Sequence, residues 1–204
     1  MAETRHRARG VERRAEILRA ALEIIAERGY RGATLANVAQ RVGLTQQGIL
    51  HYFPTKEALL VGVLEERDDW DAMATFGRGG ASAHADDPSH SPWNLDNLGL
   101  LIEYNAMRRG IIQTFSALLG ESITDGHPAR EFFRRRYAWT RRQVAETLRA
   151  HYGDTLPSGL TPEQVAPLAL AVLDGIQYQW LLDPDEVDMT EAFESLRVLL
   201  GPPS

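Results

Sequence analysis

The sequence predicts an all-α protein, with an N-terminal head of three helices joined by a long helix to a larger helical body. Three observations predict it. Apolar residues recur at i, i+3/i+4 and i+7 in nearly every segment, glycine and proline punctuate those segments, and no alternating run is long enough for a strand. With 204 residues, 44% hydrophobic and 25% charged, the chain can bury a full core. It has no cysteine, which excludes disulfide frameworks and cysteine-ligated zinc or iron–sulfur sites. The basic N-terminus (Arg5, Arg7, Arg9) leads into amphipathic sequence rather than an apolar signal region. The longest aliphatic run, Leu168 to Leu173, is too short for a bilayer. A cytoplasmic protein without membrane insertion is expected.

The first helix runs from Val11 to Arg28, with Leu18, Leu22 and Ile25 on one stripe beside Ala21 and Ile24, and Gly29 as its C-terminal stop. Thr34 can cap a short helix through Val42. Gly43 breaks it, and Thr45 can cap another short helix to about Phe53. A long helix follows from Lys56 to about Phe76. Residues 77–92, with Gly77, Gly79, Gly80, Pro88 and Pro92, lack periodicity and read as a long mobile connection. Asn94 or Asp96 then opens a helix to about Leu119, and Pro128 stands at a first helical position for a helix ending near His151, before Gly153. Thr161, Pro162 and Gln164 form a capping box for a helix reaching Leu182. A last amphipathic helix starts at Asp188.

The corner between the two short helices carries chemistry. Leu35, Val38, Ala39, Val42, Gly43, Leu44, Ile49 and Phe53 have the spacing of a helix-turn-helix, in which Ala39 allows the helices to cross closely and Gly43 accepts positive φ. With Ile49 and Phe53 inward, Gln46, Gln47, Leu50 and His51 project outward, where a helix lying in a major groove meets base edges. Thr34 and Thr45 present hydroxyls and free backbone N–H groups suited to phosphate oxygens, and Tyr52 and Lys56 can add backbone contacts. Charge agrees with this placement. Residues 1–60 carry ten Lys+Arg against six Asp+Glu, a net of +4, whereas residues 61–204 carry −10. The competing reading is a solvated helical corner that never meets DNA.

Residues 34–45 (TLANVAQRVGLT) and 48–59 (GILHYFPTKEAL) resemble the tetracycline-repressor (TetR) family of bacterial transcriptional regulators. The resemblance is strong over residues 11–60. It implies an all-α homodimer with a helix-turn-helix DNA-binding domain, residues 1–56, and a C-terminal helical ligand-binding and dimerisation domain, residues 57–204. It also places Thr34, Thr45, Gln46, Gln47, Gly48, His51, Tyr52 and Lys56 at DNA-facing positions. Leu50 departs from the pattern, since the family usually has an aromatic there. A leucine can touch a thymine methyl but cannot hydrogen-bond.

In the body, residues 165–182 are apolar at thirteen of eighteen positions, so this helix needs burial on two fronts. Packing against its own core on one side and a second subunit on the other satisfies that need, with Gly175 allowing close approach; the alternative is simple deep burial within the chain. The resemblance implies the same arrangement for the two C-terminal helices, and Val172, Gly175, Ile176, Gln179, Phe193, Leu196 and Leu200 are the expected interface. Two heads reading a palindromic operator must stand about 34–36 Å apart. The middle helices are rich in large side chains, and Tyr104, Met107, Phe115, Phe133, Tyr137, Thr140 and Gln177 are candidates to line a pocket for a small apolar effector. The alternative is that they fill the core. A pocket change that tilts the helix from Lys56 would bias the DNA-competent state.

Other signals fall away. His84, His90, His127 and His151 lack carboxylates at ligand spacing, so no metal is expected. The Gly77, Gly79, Gly80 cluster follows a helix rather than a strand, which excludes a dinucleotide loop. Arg134, Arg135, Arg136, Arg141 and Arg142 read as a solvated face, and Asp174 as a hydrogen-bonded core carboxylate. No nucleophile, base and orienting group assemble, so neither catalysis nor a cofactor is expected. The reading is a DNA-binding repressor released by a small-molecule ligand. Its alternative is an all-α small-molecule-binding or catalytic domain without DNA binding.

Overall fold

The computed structural model of the protein describes residues 2–76 and 95–202; the connection expected over 77–92, and Trp93 after it, lie outside the described residues. Among the described residues there are α-helices and no strands: α1 (Ala2–Gly32), α2 (Leu35–Arg41), α3 (Gln46–Tyr52), α4 (Lys56–Phe76), α5 (Leu95–Ala106), α6 (Arg109–Ser122), α7 (Arg130–Tyr152), α8 (Pro162–Leu182) and α9 (Met189–Leu200). They form two compact units. One holds α1, α2, α3, α4 through Asp69, and α6; the other holds α5, α7 from Phe133, α8 and α9. Packing thus groups α6 with the helix-turn-helix, whereas the family resemblance divides the chain at residue 56.

In the first unit, α1 buries Leu18, Ala21, Ile24 and Ile25 of the predicted stripe and Ile17 besides, while Leu22 is half-buried. The helix starts at Ala2 rather than Val11, because Ala, Glu and Arg are good helix formers that leave no apolar stripe to read. Gly29 does interrupt it, with φ 67° and ψ −174°, and one further turn follows. The helix predicted from Asn94, outside the described residues, or Asp96 to about Leu119 is in fact two. Arg108, with φ −124° and ψ 48°, leaves the helical region although neither glycine nor proline demands it. Tertiary packing explains why α6 begins where it does. A β-carbon at Gly110 would lie 2.5 Å from the Ile25 carbonyl oxygen, so only glycine lets α6 approach the α1 backbone this closely. Ile111, Ile112, Phe115 and Leu118 are buried, as are Leu59, Leu60, Val63 and Leu64 of α4.

The second unit is built around Val144, Ala145, Leu148 and Tyr152 of α7 with Val165, Ala166 and Ala169 of α8, against which Leu98, Leu170, Leu196 and Leu200 pack. Pro128 precedes α7 by a turn instead of opening it. The capping box of α8 is present: Thr161 Oγ1 accepts from Gln164 N–H, and Gln164 Oε1 accepts from Thr161 N–H at 2.9 Å. Asp188 caps α9 through Thr190 and Glu191 N–H groups. Tyr152 donates to the Gly201 carbonyl at 2.9 Å, which ties the end of α9 to α7. By length and composition α8 could cross a membrane, and only 22% of its apolar window is buried. The aliphatic-run criterion missed this because Asp174 and Gln177 interrupt the run.

Candidate nucleic-acid interface

Each short helix of the corner is started by a threonine. Thr34 Oγ1 accepts from Asn37 N–H at 3.1 Å and Thr45 Oγ1 accepts from Gly48 N–H at 3.0 Å, both residues in extended conformation. Capping occupies a hydroxyl lone pair and leaves the O–H proton free to donate outward, so the two roles of these threonines are compatible. Gly43 supplies the turn with φ 64°, and Leu44 N–H closes it on the Ala39 carbonyl at 2.9 Å. Val38 and Ala39 are buried on α2, Ile49 on α3 and Phe53 just after it. Burying a side chain of that size contributes roughly 1.5–3 kcal/mol, which fixes the rotation of a helix too short to be stable alone.

The polar side of α3 is set by that rotation. Gln46, Gln47 and His51 are exposed, and Thr45 beside them is exposed. Gly48, Leu50 and Tyr52 are half-buried, so Leu50 does not stand fully outward as its register suggests. The His51 and Tyr52 rings meet edge to face with centroids 5.6 Å apart. A β-carbon at Gly48 would make only ordinary contact, 3.4 Å from Thr45 Oγ1, so nothing within the fold demands glycine there. Thr34 is half-buried at the start of α2. Lys56 is half-buried at the start of α4, its ammonium 4.3 Å from the centroid of the Tyr30 ring.

Several residues that orient the corner escaped the sequence reading. Arg13 donates to the Val42 carbonyl at 3.2 Å, at the C-terminal end of α2, and pairs with Glu16. Arg14 lies over the Phe53 ring at 5.0 Å. Arg41 bridges α2 to Glu27 at 2.7 Å and Glu23 at 3.2 Å on α1, and the Arg41 hydrogen bond holds the Glu27 carboxyl below its usual range. Asn37 donates to the Gly32 carbonyl at 2.8 Å. Part of the basic excess of the head therefore braces the corner. Long-range pairs of this kind leave no periodic trace in sequence.

The other predicted residues are spread. Of the pocket candidates, Phe115 is buried in the first unit, while the remaining six belong to the second. There Phe133 is buried, Tyr104, Tyr137, Thr140 and Gln177 are half-buried, and Met107 is 76% exposed. Thr140 donates to the Arg136 carbonyl, and Tyr137 donates to Asp174 Oδ2 at 2.6 Å. Burial raises the Asp174 carboxyl despite that bond and despite Arg136. Of the expected dimer residues, Val172 and Gln179 are exposed, and Gly175 and Ile176 are half-buried. Phe193 is buried, and Leu196 and Leu200 pack against the unit's own core. The apolar side chains that α9 exposes are instead Val198 and Leu199. The missed signal is its second apolar stripe.

Comparison with known proteins agrees with this architecture. Residues 17–63 match the family described as bacterial regulatory proteins, tetR family, and residues 100–200 match the C-terminal part of the BetI-type transcriptional repressor. The HTH-type transcriptional regulator TtgR of Pseudomonas putida is 27% identical over 194 residues, covering 87% of this chain and 84% of the relative. The HTH-type transcriptional regulator BetI of Burkholderia mallei is 29% identical over 184 residues, covering 89% and 88%. A solved transcriptional regulator from Rhodococcus sp. Rha1 shares the fold, with a TM-score of 0.65 and 21% identity over 92% of this chain and 94% of that one. The chain belongs to the tetR family of bacterial regulatory proteins and is a helix-turn-helix transcriptional regulator.

Proposed function

We propose that the protein is a homodimeric repressor that binds a palindromic DNA operator through α3 and leaves it when a small molecule binds the C-terminal domain. The observation that carries the DNA reading is the exposure of Gln46, Gln47 and His51 together on a helix whose rotation is fixed by Ile49, Phe53 and the Thr45 cap. Glutamine amides donate and accept, which suits adenine edges, and Thr34, Thr45, Tyr52 and Lys56 are the proposed phosphate contacts. Gly48 fits the same picture, because a position with no internal need for glycine permits close backbone approach. The likeness of residues 100–200 to a repressor C-terminal region supports the sign of regulation.

The dimer reading rests on α8 and α9. Leu168, Val172, Gly175, Gln179 and Leu182 recur with the 4-3-4-3 spacing of a helix-packing seam, and Val198 and Leu199 of α9 are 79% and 83% exposed. A β-carbon at Gly175 would meet nothing within 4 Å inside the chain, which leaves room for a partner helix. Of the residues named from sequence, Val172, Gly175, Ile176 and Gln179 stay in the proposal, while Val198 and Leu199 take the places of Phe193, Leu196 and Leu200. A protein partner fits this face better than lipid, because the α8 N-terminus carries Glu163 and Asp174 lies mid-helix, where a charge costs about 2.5–3.5 kcal/mol in a bilayer. The effector pocket is proposed among Tyr104, Met107, Phe133, Tyr137, Thr140 and Gln177 of the second unit; Phe115 belongs to the first unit and leaves the proposal.

Selection of bound duplexes from a random pool by the purified protein tests the function. The expected product is a two-fold symmetric site whose half-sites lie about one helical turn apart, ~34–36 Å, occupied by two chains or a multiple of two. Recovery of no enriched sequence at low ionic strength would contradict it.

A further inference from the structure

Lys56 does not project freely from the start of α4. Its ammonium sits 4.3 Å from the centre of the Tyr30 ring, and the Tyr30 hydroxyl donates to Glu121 Oε2 at 2.8 Å. Tyr30 lies just past the Gly29 break in α1, Glu121 in the last turn of α6, and all three residues belong to the same compact unit. His127 Nε2 stands 4.0 Å from the same carboxylate oxygen. Burial, and then the Glu121 bond, push the Tyr30 hydroxyl far above its ordinary range, so it stays a donor wherever the protein is folded.

The placement of Tyr30 is specified from α6. Gly110, Gln113 and Glu121 fall on one face of α6 by helical spacing, and each meets the C-terminal part of α1. Gly110 approaches the Ile25 carbonyl, Gln113 lies where a Gly29 β-carbon would come within 3.0 Å, and Glu121 accepts from Tyr30. A lysine has a long stem with many rotamers, and confining it before it meets a phosphate lowers the ordering cost of the contact. An aromatic face confines an ammonium without neutralising it. We infer that Tyr30 and Glu121 are positioning residues for DNA binding: Glu121 of α6 fixes the Tyr30 ring, and the ring holds the Lys56 ammonium at the start of α4. The inference rests on the reading of Lys56 as a phosphate contact, and it assigns control of that contact to a helix outside the helix-turn-helix.

Binding of the full-length protein to a random-sequence duplex, titrated against salt, tests it. Lys56→Ala is expected to weaken binding and to lower the slope of log K against log salt by about one. Tyr30→Leu is expected to weaken binding about two- to fivefold, the range of an exposed cation–π contact. Tyr30→Phe, which keeps the ring and loses its anchor, should fall between Tyr30→Leu and the unaltered protein. Glu121→Ala should bind more weakly than Glu121→Gln, since both lose the charge but only glutamine still accepts from Tyr30. In the Lys56→Ala background none of these changes should weaken binding further. Independent, multiplying losses in that background, or Tyr30 and Glu121 variants that bind like the unaltered protein while Lys56→Ala does not, would overturn the positioning role and leave the phosphate contact standing. An unchanged affinity and slope for Lys56→Ala itself would overturn both.

Discussion

The corner of α2 and α3 and the face of α8 and α9 both leave side chains in solvent, but for opposite physical reasons. At the corner the backbone is satisfied and the apolar residues are inside: caps, turn bond and buried Ile49 complete the structure, and what remains outside is polar. On α8 and α9 the exposed residues include Leu168, Val172, Leu182, Val198 and Leu199, which water does not favour. The first region is finished and offers hydrogen bonds to a charged partner; the second is unfinished and gains stability only when covered. Binding at the corner should therefore depend on salt, and association through α8 and α9 on apolar area.

The contrast can be broken most sharply on the unfinished side. Leu182→Glu combined with Leu199→Glu should weaken dimerisation by about a hundredfold or more, since two charges are placed where apolar contact is needed. Sedimentation over a concentration series would show monomers, and melting of the isolated subunit should change little because both side chains are exposed. A dimer of unaltered affinity would place the interface elsewhere. Truncating the finished side acts on folding instead. Ile49→Ala should cost about 2–4 kcal/mol and lower the thermal midpoint of the first unit, without changing the oligomeric state.

Smaller effects sharpen the comparison. Gly48→Ala should move two readouts in opposite directions: it should stabilise α3 by about 0.5–1 kcal/mol, as alanine does inside a helix, and weaken DNA binding by keeping the backbone from its close approach. Parallel changes would remove Gly48 from the interface. Thr45→Ala should destabilise the head by about 1 kcal/mol through loss of the cap. Asp174→Asn offers the mildest change. Burial raises the Asp174 carboxyl in the folded protein, so its ionised form costs stability above the folded titration point and costs nothing below the unfolded one. Asparagine still accepts from Tyr137, so the variant should melt higher than the parent at neutral pH, with the advantage vanishing as pH falls through the carboxylate range. A difference independent of pH would mean that the carboxyl is not desolvated.

The corner was legible because everything that makes it is local. Thr34 and Thr45 as caps, Gly43 as the turn, and Ile49 and Phe53 as buried anchors each act on neighbours a few residues away, and these structural parts stand as expected. The capping box of α8 and the Asp188 cap of α9 were legible for the same reason. What escaped depends on distant partners. The break at Arg108 places Gly110 against Ile25, a contact across more than eighty residues of chain that no local propensity announces. The inner and outer sides of α9 were exchanged because both are apolar: Phe193, Leu196 and Leu200 on one, Val198 and Leu199 on the other, and only packing against α5, α7 and α8 decides between them. The Tyr30–Glu121 bond spans 91 positions and leaves no mark in periodicity.

The central claim is that α3 reads DNA with side chains whose direction is fixed before the duplex arrives. Its most direct test is the ratio of affinities for a selected operator and a scrambled duplex of equal length, measured for the parent and for Gln46→Ala with Gln47→Ala at one salt concentration. Loss of the bidentate contacts should lower that ratio by about tenfold or more while leaving the scrambled affinity nearly unchanged. A ratio that stays at the parent value, or an equal loss on both duplexes, would contradict base reading by α3.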